Sequence, residues 1–347
     1  MPRVTDATAP RIALVGATGV VGTTLLQLME ERGFRYRDLA LVASARSAGR
    51  EVTTEGHTHR VHDLDGYDFT GTDIAFFSAG ARVSTTFAPK AVAQGALVID
   101  NTSAFRMDPD TPLVVPQANA HELGDRPASG IVANPNCSTI PLVRLLKPVQ
   151  ERWGVRQAVV STYQAASGAG YSGIDELRAG ARAVLDDPED AGVTGTFSPS
   201  LAFDVIPQID RLLDDGFTFE EQKMLQESRK ILSLPHLDIT TTCVRVPVVN
   251  SHSEAVWIEA HDTVDREELV RLLAEQDEVT VHDLQTPGAF PTPRTAGDPN
   301  HVHVGRVRVA AHNPRGFWLW IVADNVRIGA ALNALQIAEV LTERGVL

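Results

Sequence analysis

A chain of 347 residues exceeds the size at which one hydrophobic core usually keeps growing, so two domains are expected, and 43% hydrophobic residues can supply a core for each. The formal net charge of −13 argues against a nucleic-acid backbone as the main partner, because that role calls for a basic surface; a local cluster of Arg and Lys can still hold a small anion. Two cysteines cannot form a disulfide framework, MPRVTDATAP lacks the apolar core of a leader, and no stretch approaches the roughly 18 apolar residues of a membrane span, so a cytoplasmic protein with free thiols and no membrane partner is expected.

The first third alternates short apolar runs with stretches of helical composition. Segments 11–16, 39–44, 74–80, 97–102, 113–117 and 131–135 read as strands, with candidate helices such as 23–33 between them. Continuous apolar runs of this length, separated by helices, predict a parallel sheet buried on both faces: a doubly wound, Rossmann-type α/β domain over residues 1–134. From about residue 136 the grammar changes. One helix follows, then strand candidates at 156–167, 240–248, 255–261, 302–312 and 316–324, with helical stretches at 172–186, 219–233 and 265–276. Strands with fewer helices between them predict an α+β domain with a mixed or antiparallel sheet over 135–326. The final segment carries one apolar stripe, Ile328, Leu332, Leu335, Ile337 and Leu341, and residues 327–347 are expected to return to the first domain as an amphipathic helix. Residues 286–300, rich in Pro, Gly and Thr, read as one long loop: a lid, an oligomer arm or plain surface.

The run IALVGATGVVG sets Gly16, Gly19 and Gly22 where the first strand hands over to the first helix. Glycines there let the backbone approach a pyrophosphate, and the helix start offers unpaired N–H groups; tight strand-to-helix packing with no ligand is the alternative. The end of the second strand reads VASARSAG, with Ser44, Arg46 and Ser47 and no acid for a ribose 2′-hydroxyl. A guanidinium among hydroxyls suits a 2′-phosphate, which favours NADP, although a loop arginine can also simply be solvated.

Cys137, in NPNCST, lies between turn formers and an apolar run of helical character. A helix start favours a thiolate and offers N–H donors for an oxyanion, yet a cysteine is as readily a small core residue, and the stretch alone leaves both open. Cys243, inside the alternating run TTTCVRVPV, reads as structural. His252 is placed in a turn between two strands, with Arg245 seven residues earlier, a residue able to form a bidentate pair with a carboxylate. Together with a dinucleotide domain, a thiol, an imidazole and an anion clamp suggest redox chemistry at a carbonyl through a covalent adduct.

GATGVVG, ASARSAG, NTSAFRMD, NPNCST, YQAASGAG, EEQKMLQESRKIL, RVPVVNSHSE and ADNVRIGAALNALQIAE follow one another in an order and spacing that resembles the aspartate-semialdehyde dehydrogenases from about residue 11 to 340. The resemblance implies interconversion of L-aspartate 4-semialdehyde, phosphate and NADP+ with 4-phospho-L-aspartate and NADPH, within lysine, threonine and methionine biosynthesis. It implies Cys137 as nucleophile, His252 as acid/base and Gln164 as the residue orienting the intermediate. Arg245 would bind the substrate carboxylate, Glu220 its ammonium, and Arg106 and Lys223 the phosphate, with Asn136 also lining the substrate. Gly16, Thr18, Gly19, Val20, Gly22, Ser44, Arg46, Ser47 and Ser78 would contact NADP, and Ser167, Gly168 and Asn325 would lie towards the nicotinamide. No metal is implied, and a homodimer or homotetramer is. Ser251 stands where many relatives are expected to have glycine. The competing readings are an N-acetylglutamyl-phosphate-type reductase, whose substrate has no free ammonium for Glu220, and a non-catalytic NADP-binding regulator, which gives no reason for Cys137, Gln164, Arg245 and His252 to occur together.

Overall fold

The computed structural model describes residues 9–187, 192–282 and 286–346, so residues 1–8, and residue 347 of the segment expected to return to the first domain, lie outside the described residues. The chain divides into two compact units, Met1–Asn136 with Ala330–Leu347, and Cys137–Gly329.

The first unit opens with β1 (Arg11–Val15), α1 (Val20–Arg32) and β2 (Asp38–Ala43). A hairpin, β3 (Glu51–Thr54) and β4 (His57–Arg60), precedes β5 (His62–Asp63), β6 (Ile74–Phe77) and α2 (Ala81–Ala93); β7 (Leu97–Asp100), α3 (Pro116–Asn119) and β8 (Ile131–Ala133) follow. Six strands form one sheet in the order β5-β2-β1-β6-β7-β8, every pairing parallel. β6 and β7 are buried along their whole length, as sequences apolar but for Asp100 at the end of β7 require, and Val15, Val42, Phe69, Phe77 and Val98 share one core. The order reverses beside β1, where doubly wound sheets bind their ligands. The C-terminal helix, Leu332–Glu343, belongs to this unit: Asn333 donates to Val114 O (2.9 Å) and Asn134 Oδ1 (2.7 Å), and Arg32 forms a two-pronged pair with Glu339.

One local expectation fails here, and one element was not foreseen, each for a physical reason. LVVPQ (113–117) is not a strand. Leu113 makes a single bridge to Ala133, after which Pro116 starts α3; Asn119 takes the place of a neighbouring strand, its side chain accepting from Val115 N–H (2.9 Å) and donating to Leu113 O (2.9 Å). The sixth strand is instead β5, two residues long. The hairpin β3–β4 is polar on both faces, so no hydrophobic alternation announces it, and its Glu55-Gly56 turn has both φ angles positive, +50° and +75°.

The second unit contains α4 (Thr139–Trp153), β9 (Val155–Gln164), α5 (Gly170–Asp186), α6 (Phe219–Leu232), β10 (Asp238–Arg245), β11 (His252–Ala260), α7 (Arg266–Ala274), β12 (Val279–Val281), β13 (Val302–Ala310) and β14 (Asn313–Ala323). Its sheet is mixed, in the order β10-β9-β11-β14-β13-β12: β9 with β10 and β12 with β13 run parallel, and the other pairs antiparallel. From Ala158 to the end of β9 and along β10 burial alternates, leaving Val159 and Tyr163 exposed on one face while Val160, Thr162, Ile239 and Cys243 are buried on the other. On the outward face Trp257 packs on Trp318 and Tyr163 on Trp320. Segment 286–300 has no helix or strand. It lies against the sheet, Trp320 donating to Pro291 O (2.9 Å), and with Arg306, Arg308 and Trp320 it lines an open pocket of about 390 Å³.

Candidate active site

In the second unit the ends of β9 and β10, the start of β11 and the start of α4 bring their side chains together. Cys137 immediately precedes Ser138, the N-cap of α4, whose side chain makes no cap hydrogen bond, so the first N–H groups of the helix are left without a side-chain acceptor there. The sulfur lies 3.3 Å from His252 Nε2. His252 is the first residue of β11 rather than a turn residue; the turn ends at Ser251, so a strand now fixes the direction in which the imidazole points.

The state of the imidazole follows from its other nitrogen. Ala165 N–H donates to His252 Nδ1 at 3.0 Å, so Nδ1 is an acceptor and a neutral ring carries its proton on Nε2, facing the sulfur. Burial, seconded by the charge of Arg245 and opposed only by Glu220, pulls this pKa down to about 3. The ring is therefore neutral at every physiological pH. Ala165 also accepts from Arg245 Nη1 (2.7 Å), so one residue's backbone fixes both the imidazole and the guanidinium. Arg245 is buried, which lowers its pKa against the opposing charges of Glu220 and Cys137.

Close packing completes the arrangement. A Cβ built at Gly168 would sit 2.7 Å from Arg245 Nη1 and 3.4 Å from His252 Cε1, and one at Gly329 would sit 2.6 Å from Cys137 Cβ. Gly329 lies in a π-helical turn, Arg327–Ala331, the kind of irregularity that recurs at functional sites. Asn325 Oδ1 accepts from Ser251 N–H (3.0 Å) and lies 3.0 Å from Ser167 Oγ, which is also 2.9 Å from Asn250 Oδ1. Asn250 in turn donates to Asp324 (2.7 Å). These bonds hold the turn before His252, where Ser251 adopts φ +71°, the left-handed conformation that glycine meets without strain.

Charge enters from α6. Its first turn is fixed by a capping box: Thr218 Oγ1 accepts from Glu221 N–H (3.3 Å) and Glu221 accepts from Thr218 N–H (2.7 Å). Glu221 also accepts from Cys243 N–H (3.0 Å), locking α6 to β10 two residues before Arg245. That lock sets Glu220, which accepts from Gln164 Nε2 (3.2 Å) and pairs with Lys223 (2.6 Å). Burial alone would lower the pKa of Lys223, but Glu220 and Asp210, 3.1 Å away, raise it, so the ammonium keeps its proton. Cys243 is buried with its sulfur against Met224, and burial with nearby Glu220 pushes its pKa up, so it remains a thiol and a packing residue.

The remaining candidates belong to the first unit. Gly16 has φ +91°, and a Cβ there would sit 2.8 Å from Ser78 Oγ; one at Gly22 would collide with Gly16 O. Backbone, not side chain, thus lines the approach to α1, which begins at Val20 with no side-chain cap on Gly19. Ser78 donates to Val15 O (3.2 Å), Thr18 Oγ1 reaches Ser47 Oγ (3.3 Å), and Ser44 and Arg46 stand exposed beyond β2. A backbone cradle facing an uncapped helix start, with a cation at the edge of the next strand, fits a dinucleotide. Arg106 is buried and donates to Asn134 O (2.9 Å) and Asn101 O (3.1 Å); Asn136 is buried as well. The loop carrying Arg106 is set by Asp100, which accepts from Ser84 and Thr102 and whose pKa burial raises against those hydrogen bonds.

Cys137 thus contacts His252, Glu220 contacts Gln164 and Lys223, Ser167 contacts Asn325, and Gly168 lies against Arg245 and His252, all within one unit. Sequence reasoning did not find Gly329, Asp210, or the Ala165 backbone; the last leaves no trace in residue type. Among the described residues no cluster of His, Cys, Asp or Glu is arranged to hold a metal ion, and no helix is long and apolar enough to cross a membrane.

Comparison with known proteins places the chain in a family. Residues 11–126 match the family described as semialdehyde dehydrogenase, NAD binding domain, and residues 146–328 the semialdehyde dehydrogenase dimerisation domain. The chain is 46% identical to an aspartate-semialdehyde dehydrogenase of Bacillus subtilis over 95% of its own length and 96% of that protein. It is 44% identical to a crystal structure of aspartate semialdehyde dehydrogenase II from Vibrio cholerae complexed with ASA, with TM-score 0.92 and coverage of 96% and 98%. A Candida albicans aspartate semialdehyde dehydrogenase with NADP, 24% identical over 98% of this chain and all of that one, shares the fold with TM-score 0.75. The chain belongs to the aspartate-semialdehyde dehydrogenase family, with a nicotinamide-dinucleotide-binding domain ahead of its second domain.

Proposed function

We propose that this chain reduces 4-phospho-L-aspartate to L-aspartate 4-semialdehyde, releasing phosphate, and runs the reverse under excess aldehyde and phosphate. The observation that carries the reading is the pairing of Cys137 with a neutral His252 whose Nε2–H faces the sulfur, beside Arg245 and Glu220. The sulfur of Cys137, its proton given up to solvent, attacks the acyl carbon; the carbon–oxygen bond to the phosphoryl group breaks, phosphate leaves with the electron pair and takes up a proton from solvent, and a thioester remains. Gly16, Thr18, Gly19, Val20, Gly22 and Ser78 would hold NADP, with Ser44, Arg46 and Ser47 towards the 2′-phosphate and Ser167, Gly168 and Asn325 towards the nicotinamide, and the reduced cofactor would supply the hydride. After reduction the tetrahedral oxygen re-forms the carbonyl and expels the Cys137 sulfur, with the Nε2–H of His252 as the acid that stabilises developing negative charge. Gln164 orients the intermediate. Arg245 takes the α-carboxylate, Glu220 the ammonium, Arg106 and Lys223 the phosphoryl group, and Asn136 lines the substrate.

The absence of an acid after β2 and the presence of Arg46 support NADP over NAD. Val159, Tyr163, Trp257, Trp318 and Trp320 form an apolar sheet face in the matched dimerisation domain, and a second copy of this chain covers that face in the homodimer, or in a homotetramer built from such dimers. The activity belongs to lysine, threonine and methionine biosynthesis in the cytoplasm. The test is NADPH formation from L-aspartate 4-semialdehyde with and without phosphate. Phosphate dependence is expected, and Cys137→Ala should abolish it while NADP still binds; near-native turnover in that variant would refute the mechanism. Preference for the N-acetylglutamyl substrate in the same assay would refute the role of Glu220.

A further inference from the structure

Lys223 is shared between two carboxylates. Glu220, three residues earlier on α6, lies at 2.6 Å and is nearly buried, its side chain 6% exposed; Asp210 lies at 3.1 Å from the other side and is 36% exposed. Asp210 is held in place by packing rather than by chance. Phe197, Leu201 and Ile206 are buried together with Ala166 and Leu177, and Ile206 exchanges both backbone hydrogen bonds with Arg245 (2.9 and 2.8 Å). At the other end Leu212 bridges Thr218, the N-cap of α6, and Phe219 N–H donates to Arg211 O (2.9 Å). Between these two anchors Asp210 adopts φ +69°, an uncommon conformation for a residue other than glycine, and its Oδ1 accepts from Arg211 N–H (2.8 Å), which leaves Oδ2 to Lys223. Strained backbone anchored at both ends, presenting one carboxylate to one cation, points to function.

An ammonium has three donors. If Glu220 alone paired with Lys223, the two charges would cancel within the pair and serve neither a phosphoryl group nor an ammonium. A second carboxylate on the outer side fixes two of the three N–H directions and so defines the third. We infer that Asp210 is a positioning residue for Lys223: it draws the ammonium partly off Glu220, so that the third donor meets the phosphoryl group while Glu220 keeps charge for the substrate's ammonium. The inference rests on the proposed roles of Lys223 and Glu220 and extends them to a residue outside α6.

The test uses the full-length enzyme and phosphate-dependent NADPH formation, with KM for phosphate as the readout. Asp210→Asn is the informative variant, because asparagine tolerates the left-handed conformation while losing the charge. A charge-assisted hydrogen bond of ordinary strength corresponds to a rise in KM for phosphate of about tenfold or more, with kcat within about threefold and KM for NADP unchanged. Asp210→Glu should recover part of the loss. Lys223→Ala should raise KM for phosphate by itself, and Asp210→Asn should add nothing in that background. If Lys223→Ala raises KM for phosphate and Asp210→Asn does not, the positioning role is wrong and the phosphate site stands. If neither moves it, the role of Lys223 falls and the inference falls with it. An Asp210→Asn effect that persists without Lys223 also overturns it.

Discussion

The state of His252 can be read through folding stability, without any assay of catalysis. In the folded chain the ring stays neutral down to about pH 3, whereas in the unfolded chain it titrates near the ordinary value of 6.5. Its folded pKa is depressed, and it is a base, so the unfolded chain gains a proton below pH 6.5 that the folded chain refuses. Stability is therefore unaffected above pH 6.5 and is lost as the pH falls from 6.5 towards 3. At pH 5 the loss spans one and a half pH units at about 1.36 kcal/mol each, on the order of 2 kcal/mol. His252→Gln removes this contribution and leaves every other titrating group in place. Equilibrium urea unfolding of both proteins at pH 8 and pH 5 isolates it: the wild type should lose about 2 kcal/mol more than the variant between the two pH values. Parallel losses would show that the imidazole is not held neutral, and the Nε2–H assignment would fall with it. The same state predicts no fall in kcat from titration of His252 between pH 6.5 and 5.

Two further perturbations probe the surroundings of the pair. Gly329→Ala brings a methyl group to 2.6 Å from Cys137 Cβ and 2.9 Å from its Cα, so the π-helical turn or the nucleophile must shift; a stability loss of about 1–3 kcal/mol and a fall in kcat of at least about tenfold are expected, measured by unfolding and by the phosphate-dependent assay. Glu254 is buried with neither carboxyl oxygen hydrogen-bonded among the described residues, and burial raises its pKa well above the ordinary carboxylate range, so the fold loses stability as the pH rises above about 4.5; Glu254→Gln should gain on the wild type between pH 5 and pH 8, by up to about 1.4 kcal/mol per pH unit, in the same unfolding experiment.

What the sequence discloses follows from which physical signals are local. β1, β2, β6, β7 and the amphipathic C-terminal helix announce themselves because their burial is written in residue type at a fixed period. β5, two residues long, and the polar hairpin β3–β4 carry no such period, and the apolar run at 113–117 carries a false one that Pro116 and Asn119 cancel through hydrogen bonds. The chemistry divides in the same way. Cys137 and His252 stand 115 positions apart in the chain, and only the strand that starts at His252 makes them neighbours. The partner that decides the imidazole's tautomer is the N–H of Ala165, which any residue but proline would supply, so no residue type could have revealed it. Ser251 was visible as a departure from glycine; its φ of +71° shows what glycine would have eased, and the bonds from Asn325 and between Asn250 and Asp324 hold the turn without it.

On the proposed roles, the resting charges of the second unit account for how a strongly acidic chain would bind an acidic substrate. Arg245 and Lys223 contribute two positive charges, Glu220 and Asp210 two negative, and His252 none, so these five side chains sum to zero within a protein of net charge −13. Arg245 rests on a backbone carbonyl instead of a carboxylate, and a carbonyl is the weaker partner for a guanidinium. A substrate carboxylate can therefore replace it with a gain in interaction, without first breaking an ion pair. Glu220 and Lys223 are already paired, so on the proposed roles an incoming ammonium takes over part of that bridge while the phosphoryl group meets the remaining donor of Lys223. Weakening the bridge from both ends favours a substrate that brings both charges at once. An acyl phosphate lacking the ammonium would leave Glu220 competing for Lys223 with the phosphoryl group, so discrimination against it arises from repulsion as well as from a missing contact.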